Sequence, residues 1–154
     1  MTQCAPQALG RSGISVGRIG LGCTTFGREI DEETSFRVMD HAFESGVTLF
    51  DTAESYGGGH SREYRRQYLG VDDQREVSGE MHSSEKIIGK WLQSRGVRKE
   101  IVLLTKVFTN FTRVHVKEAL GASLERLHTD WVDVYMYHKF DSNTPVEEAV
   151  AAMD

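Results

Sequence analysis

The sequence predicts an α/β fold of the (β/α)8 TIM barrel family, parallel strands with outer helices, of which about the first four β/α units are present. Three observations predict it. Apolar strand-like runs alternate with helix-like segments along the 154 residues, the order of a parallel sheet covered by helices. Three of these runs end on an ionisable residue: Val47-Thr48-Leu49-Phe50 leads into Asp51, Ile101-Val102-Leu103-Leu104-Thr105 into Lys106, and Trp131-Val132-Asp133-Val134-Tyr135-Met136-Tyr137 into His138. Strands that deliver charged residues at their C-terminal ends are how such barrels build active sites. The rival open sheet needs a Gly-x-Gly-x-x-Gly turn directly after a strand; in Gly20-Leu21-Gly22-Cys23-Thr24-Thr25-Phe26-Gly27 the glycines stand at other offsets.

Taken in order, Val16 to Cys23 reads as the first barrel strand, with Leu9 to Ile14 as a short hairpin partner before it. Asp31 then caps a helix whose first turn holds Glu32 and Glu33, where carboxylates suit the helix dipole. Phe36, Met39 and Phe43 form its apolar face and Gly46 stops it. The strand into Asp51 follows, with Tyr56 in the turn Glu54-Ser55-Tyr56-Gly57-Gly58-Gly59. A second helix begins near Ser83 or Ser84, buries Ile87, Ile88, Trp91 and Leu92, and ends at Gly96. After the strand into Lys106, a third helix near Arg113 to Leu127 carries Val116, Leu120, Leu124 and Leu127 on one side. The strand into His138 is followed by Thr144-Pro145-Val146-Glu147, a capping box with Pro at the first helical position.

The strand ends at Asp51 and Lys106 lie nearly twice as far apart in sequence as their neighbours do. The excess is the polar stretch at about 60–82. Connections of this kind usually need only ~2–6 residues, so the stretch reads as an insertion, with a substrate lid, a partner-binding loop or a tolerated loop as the options. The chain stops at Ala149-Val150-Ala151-Ala152-Met153-Asp154, inside a helix that has just begun, whereas a closed barrel has eight units and typically ~250 residues. Residues 1–154 are therefore expected to form one domain, the N-terminal half of a barrel. A half barrel leaves the strands near Val16–Cys23 and Trp131–Tyr137 with unpaired edges, so self-association through them is expected.

Composition narrows the function. Apolar content of 39% and charged content of 27% suit a soluble globular protein, and 154 residues bury a real core. A net charge of −5 and a pI near 5.7 argue against nucleic acid or an anionic membrane as partner. No apolar run approaches the ~20 residues of a membrane span, and Met1 to Gly13 lacks the apolar core of a secretory signal. Two cysteines, Cys4 and Cys23, imply no disulfide framework. The expected location is the cytoplasm.

Asp51, Tyr56, Lys106 and His138 make a complete proton-donating set. Tyrosine is a poor acid at neutral pH, with an unperturbed pKa of ~10. A nearby ammonium stabilises the phenolate and makes the hydroxyl a better donor. Lys106 supplies that charge, Asp51 fixes and balances the lysine, and His138 orients a substrate carbonyl. Such a set protonates an oxygen on which negative charge develops, as carbonyl reduction requires when hydride arrives from a cofactor.

Four segments closely resemble motifs of the aldo-keto reductases, in that family's order: Gly20-Leu21-Gly22-Cys23-Thr24-Thr25-Phe26-Gly27, Phe50-Asp51-Thr52-Ala53-Glu54-Ser55-Tyr56-Gly57, Leu104-Thr105-Lys106-Val107 and Tyr137-His138-Lys139-Phe140-Asp141. Ser123 to Asp133 is similar to the family's stretch before its fourth strand. The resemblance implies a (β/α)8 barrel that binds NADPH at its C-terminal face and reduces aldehydes or ketones, its substrate a small carbonyl compound. It implies Tyr56 as general acid, Lys106 and Asp51 as its tuning pair, and His138 as the substrate-orienting residue. Thr24, Thr25 and Asp51 match positions at the nicotinamide and ribose end of the cofactor site. Family members place a Ser-Asn pair, a Gln and a basic phosphate-binding cluster in the second half of the barrel, a half that residues 1–154 do not supply. The alternative is a non-catalytic protein on the same scaffold, a regulatory subunit similar to the potassium-channel β subunits or a truncated remnant.

Each residue alone has an ordinary explanation. Asp51 suits a turn cap, Lys106 a solvated strand end, His138 a satisfied rim histidine, and Tyr56 a ring packed over a glycine turn. All four must hold together for that reading to survive. His41, His60, His82, His115 and His128 show no metal-ligand spacing with the cysteines and read as surface or packing residues. The glycine run 57–59 reads as a flexible turn or a phosphate cradle, and Arg62, Arg65 and Arg66 as a solvated helix face or an anion site.

Overall fold

The computed structural model describes residues 6–58, 63, 65–70, 77 and 80–154. A hairpin of β1 (Gln7–Ala8) and β2 (Ser15–Val16) comes first. Then follow β3 (Gly20–Gly22), α1 (Glu32–Glu44), β4 (Leu49–Asp51), a π-helical turn (Arg65–Leu69), α2 (Ser83–Arg95), a 3-10 turn (Arg98–Glu100), β5 (Val102–Val107), α3 (Arg113–Leu127), β6 (Val134–Tyr137) and α4 (Val146–Met153). The strands β3-β4-β5-β6 form a parallel sheet in sequence order. This is the (β/α) unit repeated, with the first four units of a barrel in place. No described helix is long and apolar enough to cross a membrane.

Register decides which residues share a face. Leu21 pairs with Phe50, and Phe50 with Leu103; alternation turns all three towards the helices. Phe50 and Leu103 are buried there with Met39, Ile87, Ile88, Trp91, Leu92 and Leu127. Trp91 stacks on Phe50 at 5.3 Å and meets Phe43 edge-on at 6.0 Å, while its Nε1 donates to Asp40 at 2.7 Å. The opposite face therefore carries Asp51, Leu104, Lys106, Val134 and Met136, since Asp51 pairs with Leu104 and Lys106 with Met136.

The helix boundaries follow the sequence closely. Asp31 Oδ1 accepts from the Thr34 N–H at 2.8 Å, and Gly46 takes φ +82° just past the end of α1. All four of Ile87, Ile88, Trp91 and Leu92 are buried on α2.

Five expectations need correction. The segment Val16 to Cys23 is not one strand: Val16 belongs to the hairpin and the sheet strand is only Gly20–Gly22. Leu9 to Ile14 is the hairpin's turn rather than its partner strand, closed by Leu9 N–H to the Ile14 carbonyl at 2.8 Å. On α3 the fully buried face is Val116, Ala119, Ser123 and Leu127. Val116 and Leu127 of the expected stripe belong to it, while Leu120 and Leu124 are only partly buried; Ala119, packed with Val107, Phe111 and Ala152, and Ser123 take their places. The Thr144 capping box does not form, because the Thr144 hydroxyl donates to Asp141 at 2.7 Å and the helix starts after Pro145. The last strand also begins late, at Val134, since Asp133 Oδ2 is used to accept from the Leu103 N–H and from Arg98. The expected insertion at about 60–82 lies mostly outside the described residues.

Candidate active site

The end of the sheet gathers residues from three consecutive strands. Asp51 closes β4, and Lys106 stands one pleat further along β5 on the same face. His138 follows β6, tied by its N–H to the Val107 carbonyl at 2.8 Å. Beyond Asp51 the chain turns back, its Tyr56 N–H bonded to the Ala53 carbonyl at 3.0 Å. Gly57 permits this turn: its φ is +127°, and a Cβ there would stand 2.3 Å from Ser83 Oγ and 2.7 Å from the Ser83 backbone nitrogen.

The Lys106 side chain is only 9% exposed, whereas that of Asp51 is 43% exposed. Its ammonium pairs with Asp51 Oδ1, donates to the Thr52 carbonyl at 2.9 Å and reaches Tyr56 Oη at 3.2 Å. A buried ammonium needs such company, and here all three of its hydrogens are engaged. It also lies 4.6 Å from the Tyr56 ring centre. The His138 ring meets Tyr56 edge-on at 5.3 Å and Phe108 at 5.4 Å. Burial, and then the Lys106 charge, push the His138 pKa below its ordinary 6.5, with Asp51 opposing and Lys139 adding to the fall. The imidazole is therefore neutral at neutral pH.

The structure thus brings Asp51, Tyr56, Lys106 and His138 together. Thr24 and Thr25 sit half-buried in the turn after β3, next to Asp51, whose carbonyl accepts from the Cys23 N–H at 2.9 Å. The Thr25 carbonyl shapes that turn by accepting from Arg28 and Glu29, each at 3.0 Å.

Several supporting residues escaped the sequence reading. Ser55 Oγ lies 3.0 Å from His138 Nδ1. Glu54 Oε1 accepts from the Phe108 N–H, and the Glu54 carbonyl contacts His82 Nδ1, a packing role for that histidine. The Thr52 hydroxyl bonds with Ser84 Oγ at 2.9 Å, and Ser84 donates to the Cys23 carbonyl at 2.8 Å. Nothing in one sequence marks pairs so distant along the chain; only the placement of Ser55 beside Tyr56 hinted that it would share the site. Among the described residues, no group of three or more His, Cys, Asp or Glu is placed to hold a metal ion.

Chemically, this is a phenol beside a buried ammonium with a neutral imidazole facing it. It can deliver a proton to an oxygen and hold that oxygen in place.

The model of the Aldo/keto reductase family matches residues 18–154. The uncharacterized oxidoreductase YrpG of Bacillus subtilis (strain 168) is 34% identical over 160 residues, covering 95% of this chain and 43% of that protein. The structure of aldo-keto reductase AKR11C1 from Bacillus halodurans (holo form) matches with a TM-score of 0.72 at 29% identity, over 97% of this chain and 45% of that one. A putative aldo-keto reductase from Pseudomonas aeruginosa gives 0.70 at 27% identity, over 98% and 55%. The chain spans about half the length of the relatives it matches.

Proposed function

Since the chain belongs to the aldo/keto reductase family, we propose that it supplies the proton-handling half of an NADPH-dependent oxidoreductase site that reduces aldehydes or ketones to alcohols. The observation that carries this reading is the Lys106 ammonium, paired with Asp51 and 3.2 Å from the Tyr56 hydroxyl.

The residues present fit the nicotinamide and ribose end of the cofactor. Gly22 pairs with Asp51 in the sheet, and nothing lies within 4 Å of where its Cβ would be, so the carboxylate borders open space. Asp51, with Thr24 and Thr25 in the adjoining turn, would hold ribose and carboxamide groups there. The grip on the 2′-phosphate is assigned to no residue of this chain. When bound, the cofactor supplies the hydride.

The residues of the chain do the rest. His138 hydrogen-bonds the substrate oxygen and aims it at Tyr56. Tyr56 Oη transfers its proton to that oxygen as charge builds there. Lys106 stabilises the phenolate left behind, and Asp51 keeps the ammonium in place.

The test is NADPH oxidation by the protein carrying this chain, against aldehydes such as 4-nitrobenzaldehyde. Tyr56→Phe keeps the ring and removes the acid, so turnover falls by about 10²–10⁴-fold. Equal rates in the variant sink the role of Tyr56, and NADPH binding without turnover by the unaltered protein favours the regulatory alternative.

A further inference from the structure

Two residues of one turn reach into this site. Tyr56 meets Lys106; Ser55, immediately before it, reaches across to His138, 83 positions away in sequence, with Oγ 3.0 Å from Nδ1. The ring is held on several sides. Its backbone N–H is bonded to Val107, and the Tyr56 and Phe108 rings stand edge-on to it. Among the described residues Nε2 has no partner, which leaves it as the nitrogen open to a ligand.

A neutral imidazole carries one N–H, and the hydrogen bond made by one nitrogen decides what the other can do. We propose that Ser55 is a positioning residue: its hydroxyl donates to Nδ1 of His138, so that Nε2 keeps the hydrogen and donates it to the substrate oxygen. This rests on the carbonyl-reduction reading above, because the ligand sets the direction. A carbonyl oxygen only accepts. Were Nδ1–H to donate to Ser55 instead, Nε2 would present a lone pair to that oxygen and repel it. The turn after β4 then supplies both hydrogen bonds to one oxygen, directly through Tyr56 and indirectly through Ser55.

The charged groups facing the ring are Lys106 on β5, Asp51 on β4 and Lys139 beside it, with the Tyr56 phenol alongside. None of them bonds Nδ1, so among the described residues Ser55 is the group that selects the tautomer.

Long-range ¹H–¹⁵N correlation spectra of the histidine-labelled protein read the tautomer directly, with His138→Gln identifying the signals. The unaltered protein is expected to show the Nε2–H pattern. Ser55→Ala gives mixed tautomers. Its His138 titration also moves upward, because a bond donated to the unprotonated nitrogen favours the neutral ring. Its kcat/KM on 4-nitrobenzaldehyde falls about 5- to 10-fold, the worth of one hydrogen bond. Ser55→Thr keeps the hydroxyl and restores both tautomer and rate. An Nδ1–H pattern in the unaltered protein overturns the proposal, and so does an unchanged spectrum in Ser55→Ala. The first of these is read on the unaltered protein. Neither needs turnover, so the failure of Tyr56 as the acid would be seen separately.

Discussion

Lys106 is the residue on which the electrostatics of the site converge. Its ammonium touches the carboxylate of Asp51, the Thr52 carbonyl and the Tyr56 hydroxyl, and its charge helps to depress the His138 pKa. Lys106→Met keeps the apolar stem and deletes the charge. The expected outcome is a loss of reductase turnover of about 100-fold or more, with an upward shift of the His138 titration in NMR; a His138 midpoint that does not move would contradict the coupling. The depressed pKa also bears on stability. The folded state binds the proton on His138 less readily than the unfolded chain does. Stability is therefore fully present above the unfolded pKa and is lost as pH falls from about 6.5 through the lower folded value. Melting temperature should drop across that acid window, and His138→Gln should flatten this part of the profile. The ionisable ends of the apolar runs, Asp51, Lys106 and His138, were legible because an apolar run ending on an ionisable residue is a local signal. Ser55 was not, because its partner is fixed by sheet register and by a turn, neither of which one serine reveals.

At the scale of elements, the first turn of α2 organises the strand ends. Ser83 donates to the Phe26 carbonyl at 2.9 Å, and Ser84 ties the Cys23 carbonyl to Thr52. Glu85, fully buried, accepts from the Thr105 hydroxyl at 2.6 Å and from Arg126 Nε at 2.6 Å. One helical turn thus holds β3, β4, β5 and α3 in mutual place. Glu85→Ala leaves a half-buried guanidinium without its counter-charge, and breaking such a pair costs about 3–5 kcal/mol; chemical denaturation should show that loss, and a change under 1 kcal/mol would mean that Arg126 finds water instead. Gly89→Ala drives a methyl group into the Arg126 carbonyl, an overpacking cost of about 1–3 kcal/mol measurable in the same way. Helix boundaries were readable from Asp31, Gly46 and Gly96, since caps act within a few residues. The buried face of α3 was legible only in part: Val116 and Leu127 are buried as the stripe suggests, but Ala119 is fixed by its packing with Val107, Phe111 and Ala152, residues outside that helix. The Thr144 box failed because its hydroxyl is claimed by Asp141.

At the scale of the whole molecule, the parallel sheet has two outer strands. Among the described residues, β3 and β6 are hydrogen-bonded on one side only, unlike the strands of a closed barrel. Next to β6 lies an apolar hollow of about 460 Å³ lined by Phe111, Tyr135, Tyr137, Val146, Val150 and Met153. Met136 on the strand is 41% exposed and Phe140 just beyond it is 81% exposed. An open strand edge beside apolar surface is a template for pairing with another chain. The 154-residue chain, produced by itself, is therefore expected to self-associate, and sedimentation velocity should show dimers or larger species that grow with concentration. The edge can be tested at Met136, the cross-strand neighbour of Lys106, with association rather than turnover as the readout. Met136→Lys places a charge on the face of β6 where a second copy would bury it, at a position whose side chain is already partly in water. The variant should shift the distribution towards monomer while its far-UV circular dichroism stays unchanged. A single sharp monomer boundary for the unaltered chain, with a cooperative melt, would instead mean that four β/α units close their own core and that the outer strands are protected without a partner.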